Sequence, residues 1–144
     1  MKVFISALIF MLCFSFLPES VNAMWAKLSD YQLIENSEVI IVAELTEAKE
    51  IIVQNKKIMI GILKAKEVLK GEKQQNVFML ELPSTATPLK SDDIFYKKGQ
   101  KGIWYLRKQN VVKDYDIYSA DHPQRFLPSK DADDKLKALR TILP

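Results

Sequence analysis

Hydrophobic and polar positions divide the chain into one long apolar run at its start and a series of short patterned segments after it. Residues 3–17 are almost unbroken hydrocarbon. Further on, Leu28-Ser29-Asp30-Tyr31-Gln32-Leu33 carries a helix-start signal: Ser29 can accept from the Gln32 amide while the Gln32 side chain reaches back. Leu28 and Leu33 stand where a hydrophobic staple closes, and Asn36 and Ser37 end the helix. Residues 39–43, Val-Ile-Ile-Val-Ala, are β-branched and too few for a buried helix, so they predict a central strand. Residues 51–53 and 58–63 flank a polar turn at 54–57 and predict a hairpin. Gly61 inside the second arm predicts a bulge or sharp bend, with the arm running on through Val68. Further strands are expected at 76–82, 102–107 and 115–118, with a polar loop at 83–93 and a turn at 98–100. The tail, 129–143, reads as an amphipathic helix. Leu136, Leu139 and Leu143 lie on one stripe with Ile142 beside it, and Asp131, Asp133 and Asp134 open the first turn.

These elements sum to a mainly β domain: a short N-terminal helix, five or six mostly antiparallel strands with one hairpin, and a C-terminal amphipathic helix. A small OB-like barrel fits that order best, with an α+β sandwich second.

The leading run changes the picture of where such a domain works. Lys2 precedes about 15 apolar residues, Pro18-Glu19-Ser20 breaks them, and Val21-Asn22-Ala23 offers small or modest residues at the positions a signal peptidase reads. Residues 1–23 are therefore expected to be a cleaved signal peptide, leaving a single domain at 24–144 that is exported to the periplasm or the exterior. The run is shorter than the roughly 20 residues that span a bilayer. Cys13, the only cysteine, lies inside it, and Leu12 before it is not the small residue a lipoprotein site needs. The mature chain then has no thiol, which excludes disulfides, cysteine nucleophiles and thiolate metal sites and leaves the core alone to hold the fold. The net charge of +3 is spread among both signs rather than gathered in a basic stripe, which fits solubility better than nucleic-acid binding.

Candidate chemistry is sparse, and no cofactor is implied. His122 is the only histidine and sits in an Asp121-His122-Pro123 turn. Asp114 and Asp116 would share one face of a strand, and Asp92-Asp93 form a second carboxylate group. A small hydrolase or metal-assisted enzyme using Asp114, Asp116 and His122 is one reading of them. Solvated strand ends and turn caps are the simpler account. Aromatics and cations interleave over Tyr96, Lys97, Lys98, Lys101, Trp104, Tyr105, Arg107 and Lys108, the composition of a stacking and phosphate-neutralising surface. Strand alternation divides that patch, with Ile103, Tyr105 and Arg107 on one face and Trp104, Leu106 and Lys108 on the other, so one set packs into the core. Trp25, just past the expected cleavage point, either tucks under the first helix or meets a partner. The residues carried forward as partner contacts are Tyr96, Lys98, Lys101, Trp104, Arg107 and Trp25.

A set of short sequence words runs through most of the mature chain. Trp25 with Leu28 is followed by Leu33-Ile34-Glu35-Asn36-Ser37-Glu38-Val39-Ile40-Ile41-Val42 and by Val68-Leu69-Lys70-Gly71. Gly99-Gln100-Lys101-Gly102-Ile103-Trp104-Tyr105-Leu106 and Tyr118-Ser119-Ala120-Asp121-His122-Pro123 complete the set. In this order they resemble exported bacterial proteins with an OB-like, metalloproteinase-inhibitor-like (netrin-like) barrel. That resemblance implies a barrel fold and carries over no catalytic residue. The inhibitors of that class bind a metal through a disulfide-tethered N-terminal cysteine, which this chain lacks once the leader is removed. The expectation is an exported, non-catalytic binding or interaction module whose partner is an envelope protein or glycan.

Overall fold

The computed structural model describes residues 25–84, 88–109 and 115–144. The expected signal peptide at 1–23, Cys13, Asp114 and part of the 83–93 loop lie outside the described residues. Helix α1 (Asp30–Glu35) begins as its sequence dictates: the Ser29 hydroxyl accepts from the Gln32 amide at 3.2 Å and the Gln32 side chain accepts from the Ser29 amide at 2.9 Å. Leu28 and Leu33 pack in one apolar cluster, as the staple requires.

Two 15-residue strands follow, β1 (Val39–Val53) and β2 (Lys56–Lys70), paired antiparallel along their length. The sequence separates 39–43 from 51–53; the structure joins them. Residues 44–50, Glu-Leu-Thr-Glu-Ala-Lys-Glu, have strand geometry but little apolar content because most of them face solvent. The connecting turn is tighter than expected, with only Gln54 and Asn55 outside the strands, both at positive φ (48° and 62°), as the two-residue hairpin turn demands. The irregularity expected at Gly61 is on the opposite strand: pairing shifts between Leu45 and Glu47, leaving Thr46 as the extra residue. Gly61 serves that bulge by its bareness, since a Cβ there would stand 2.6 Å from Leu45 Cδ1.

The remaining strands are β3 (Val77–Leu82), β4 (Lys101–Gln109), β5 (Ile117–Ser119) and β6 (Phe126–Pro128). The sheet order is β1-β2-β3-β5-β4-β6, and β1 also pairs with β4, so five strands form a ring with β6 outside on β4. Within it β3 and β5 run parallel and the other pairings are antiparallel. Strand β5 sits one residue beyond its expected end, and β6 has no counterpart in the sequence reading. It contains Pro128 and pairs over only three residues, Gly102–Trp104 opposite Phe126–Pro128, so neither length nor alternation marks it. The close contact requires Gly102, where any Cβ would overlap the Leu127 carbonyl.

Strand alternation divides most of the core between two clusters, with a smaller third around Ile60 and Ile117. Ile41, Leu45, Leu63, Phe78, Leu80 and Trp104 form one cluster, while Leu33, Ile40, Leu69, Ile103, Tyr105 and Leu139 form another that includes residues of both helices. Strand β4 contributes to both clusters, which is why Gly102 through Leu106 are all buried. Helix α2 (Asp133–Ile142), preceded by a 3-10 turn (Ser129–Asp131), supplies Leu139 fully and Leu136 and Leu143 in part. Ile142, beside the stripe, remains 63% exposed. At roughly 1.5–3 kcal/mol for each large side chain removed from water, these two clusters are the main stabilising contribution among the described residues.

Candidate functional site

The segment before α1 lies across the turn between β5 and β6. Pro123 starts a 3-10 turn (Pro123–Arg125), and His122 caps it by accepting the Gln124 amide on Nδ1 at 3.1 Å. With Nδ1 an acceptor, the proton is on Nε2, which donates to the Ala26 carbonyl at 2.9 Å. Gln124 grips the same segment from both sides: Oε1 accepts the Leu28 amide at 2.7 Å and Nε2 donates to the Leu28 carbonyl at 2.9 Å. Trp25 is thereby brought edge-on to His122, ring centroids 5.2 Å apart, and stays 40% exposed.

Arg125, the last residue of that turn, extends inward and is only 3% exposed. Nη1 donates to Ser37 Oγ at 3.0 Å and to the Tyr105 carbonyl at 3.3 Å, and Nη2 donates to the Asn36 carbonyl at 3.4 Å. Ser37 is fixed in turn by donating to the Leu33 carbonyl at 2.6 Å. The remaining edge of the guanidinium is under-used. Nε is buried with no hydrogen bond, although Asp121 Oδ1 stands 3.4 Å away. The distance satisfies an ion pair while the alignment fails a hydrogen bond. The other oxygen of Asp121 lies 3.5 Å from Arg107 Nη1, so one half-exposed carboxylate is bracketed by two arginines and bonded tightly to neither. The exposed Arg107 contact contributes about 0–1 kcal/mol. Burial lowers the Arg125 pKa below the ordinary arginine value, with Asp121 opposing; it remains charged.

These groups line a groove of about 910 Å³ that includes Trp25, Lys70, Arg107, Asp121, His122 and Arg125. A second groove of about 390 Å³ shares Trp25 and Asp121 and is walled by Glu81, Tyr96, Ser119 and the loop residues Lys90 and Asp93. Ser119 Oγ is buried there without a hydrogen bond. The Glu81 carboxyl is raised above the usual range, first by burial and then by the charge of Asp121. Tyr96 donates to the Ala120 carbonyl at 2.8 Å, and burial raises its pKa well above the ordinary phenol value.

Of the six residues expected at a partner surface, Trp25 and Arg107 share the first groove, and Tyr96 stands half-buried in the wall of the second. Trp104 is removed from the set: it is wholly buried, its Nε1 donates to the Ala43 carbonyl at 3.2 Å, and it stacks among Tyr96 and Phe126. Lys98 and Lys101 are exposed, but they stand near the opposite end of β4 from Arg107, about 20 Å along the strand. Lys101 is 3.4 Å from Glu44. Asp116 is paired with Lys108 at 2.6 Å and lines neither groove, and Asp93 caps the Lys90 amide at 2.8 Å. Among the described residues no group of three or more His, Cys, Asp or Glu is placed to hold a metal, and no helix is long and apolar enough to cross a membrane. Sequence reasoning missed Arg125 and Gln124. Nothing local marks one arginine among 21 basic residues as buried; only the Pro123 turn hints at a fixed geometry there. Compared with protein-family models, with curated proteins and with solved structures, the chain matches none.

Proposed function

We propose that this protein is an exported, non-catalytic binding module on an OB-like barrel, working in the periplasm or outside the cell. Its contact face is where the two grooves meet at Trp25. The single observation that carries the reading is the state of Trp25: a large aromatic, 40% exposed, in a segment held by the His122 and Gln124 hydrogen bonds to Ala26 and Leu28. A rigid exposed aromatic beside an arginine is the composition of an interface anchor, and holding it in place beforehand lowers the ordering cost of binding. The five-stranded ring and its flanking sixth strand support the barrel reading. The leader pattern in the sequence supports export.

Pro83, Lys90, Asp92 and Asp93 of the loop line the second groove beside Trp25, which supports a loop-borne contact face. Two observations weigh against the hydrolase alternative, of whose residues Asp114 lies outside the described ones. Both ring nitrogens of His122 are committed to backbone groups, and Asp116 is paired elsewhere with Lys108. The test is capture of envelope proteins and glycans by the tagged protein, compared with Trp25→Ala and with residues 83–93 replaced by a glycine-serine loop. A partner lost in Trp25→Ala and kept in Lys98→Ala supports this face. Equal capture by all variants rejects it.

A further inference from the structure

We infer that the first groove is an oxyanion site, in which the Asp121 carboxylate occupies the place that a ligand's carboxylate takes. The inference rests on the binding-module reading and names the chemistry of its ligand. Arg125 is the built part. Three acceptors fix its guanidinium, it is 3% exposed, and it lines the groove with its Nε buried and without a hydrogen bond. Buried donors are ordinarily hydrogen-bonded, so a buried charged donor that has an ion-pair neighbour but no hydrogen bond calls for a partner with better geometry than Asp121 offers. Asp121 lies 3.4 Å from this nitrogen and 3.5 Å from Arg107 Nη1, a carboxylate spanning two cations without hydrogen-bonding Arg125 Nε. Its side chain is 51% exposed, so it is free to turn to water. An incoming carboxylate between Arg107 and Arg125 would form the aligned, charge-assisted bonds that Asp121 does not. Trp25, on the same groove wall, would cover the organic part of the ligand.

In this arrangement Asp121 acts as an internal competitor. Its removal therefore strengthens ligand binding, the reverse of what losing an ordinary groove residue does. The probes are benzoate, its neutral isostere benzamide, and inorganic phosphate, titrated into the intact purified protein by calorimetry and followed by NMR shifts of the Trp25 indole. The expected result is that benzoate binds and benzamide does not. Asp121→Asn should bind benzoate about tenfold more tightly, a step of 1.4 kcal/mol, and the half-exposed Arg107→Gln should lose at least that factor. Phosphate binding with the same ranking assigns the site to oxyanions generally, and benzoate alone assigns it to carboxylates. The inference is overturned if neither anion binds Asp121→Asn, or if Arg107→Gln leaves affinity unchanged while its thermal melt matches wild type. Anion binding that fails beside a partner still captured through Trp25 rejects only this inference. Capture that does not depend on Trp25 rejects the module reading itself.

Discussion

At the scale of single residues, the fold depends on side chains whose surroundings leave little freedom. Arg125 spans the junction of α1, β1 and β4, and truncating it removes a donor from the Asn36 and Tyr105 carbonyls and from the Ser37 hydroxyl, which keeps only its own bond to Leu33. Each buried polar group left unpaired costs about 1–3 kcal/mol. Arg125→Ala should therefore lower unfolding stability by about 3 kcal/mol or more in urea titration, and Arg125→Met by less, because its stem refills the space and no charge remains buried. An unchanged urea midpoint for Arg125→Ala would contradict the bonding described. Gly102→Ala is a sharper case: the added methyl meets the Leu127 carbonyl, so β6 must move off β4. The expected loss is about 1–3 kcal/mol by the same titration.

At the scale of elements, local chemistry was readable and distant pairing was not. The capping box of α1 involves residues three apart, so Ser29 and Gln32 announce it without any tertiary help. The charged middle of β1 hides a continuous strand because residues 47–50 are all exposed and lack the alternation that partial burial imposes. Strand β6 exists only because Gly102 admits a backbone beside it, a fact that Phe126-Leu127-Pro128 does not contain. The same limit applies to the site. Trp25 and Arg107 stand out as an aromatic and a cation, whereas burial makes Arg125 special and burial is set by the ring. Trp104 shows the converse, a residue of binding type that alternation turns inward.

The tie between α2 and β2 gives a prediction of its own. Arg140 holds both oxygens of Glu67, at 3.0 and 2.6 Å, and keeps that carboxyl below its usual value. A lowered carboxyl stabilises the fold above its unfolded-state pKa and loses that contribution as pH falls through the folded value. Arg140→Gln should thus melt lower than wild type at pH 7, with the difference closing once acid protonates Glu67. A difference that persists unchanged in acid would show that the pair is not its source.

At the scale of the whole molecule, the ring sets a rigid frame and both grooves open around Trp25. Placing Glu81 beside Asp121 at the second groove has a consequence opposite in sign to that at Glu67. Its carboxyl is raised, so it favours folding while protonated and loses that contribution as pH rises through the raised value. Glu81→Gln should be the more thermally stable protein at pH 7 and indistinguishable from wild type well below pH 4.5, the ordinary value for the group. Equal melts at both pH values would remove the strain assigned to this face.

The central claim is that the Trp25 end of the ring, and not the Lys98–Lys101 end, is the face that meets a partner. Site-specific photo-crosslinking in the producing cells tests it most directly, with a benzophenone amino acid placed at position 25 in one strain and at position 98 in another. The account predicts a discrete crosslinked species from position 25 that is absent from position 98. Crosslinks from position 98 alone would contradict it.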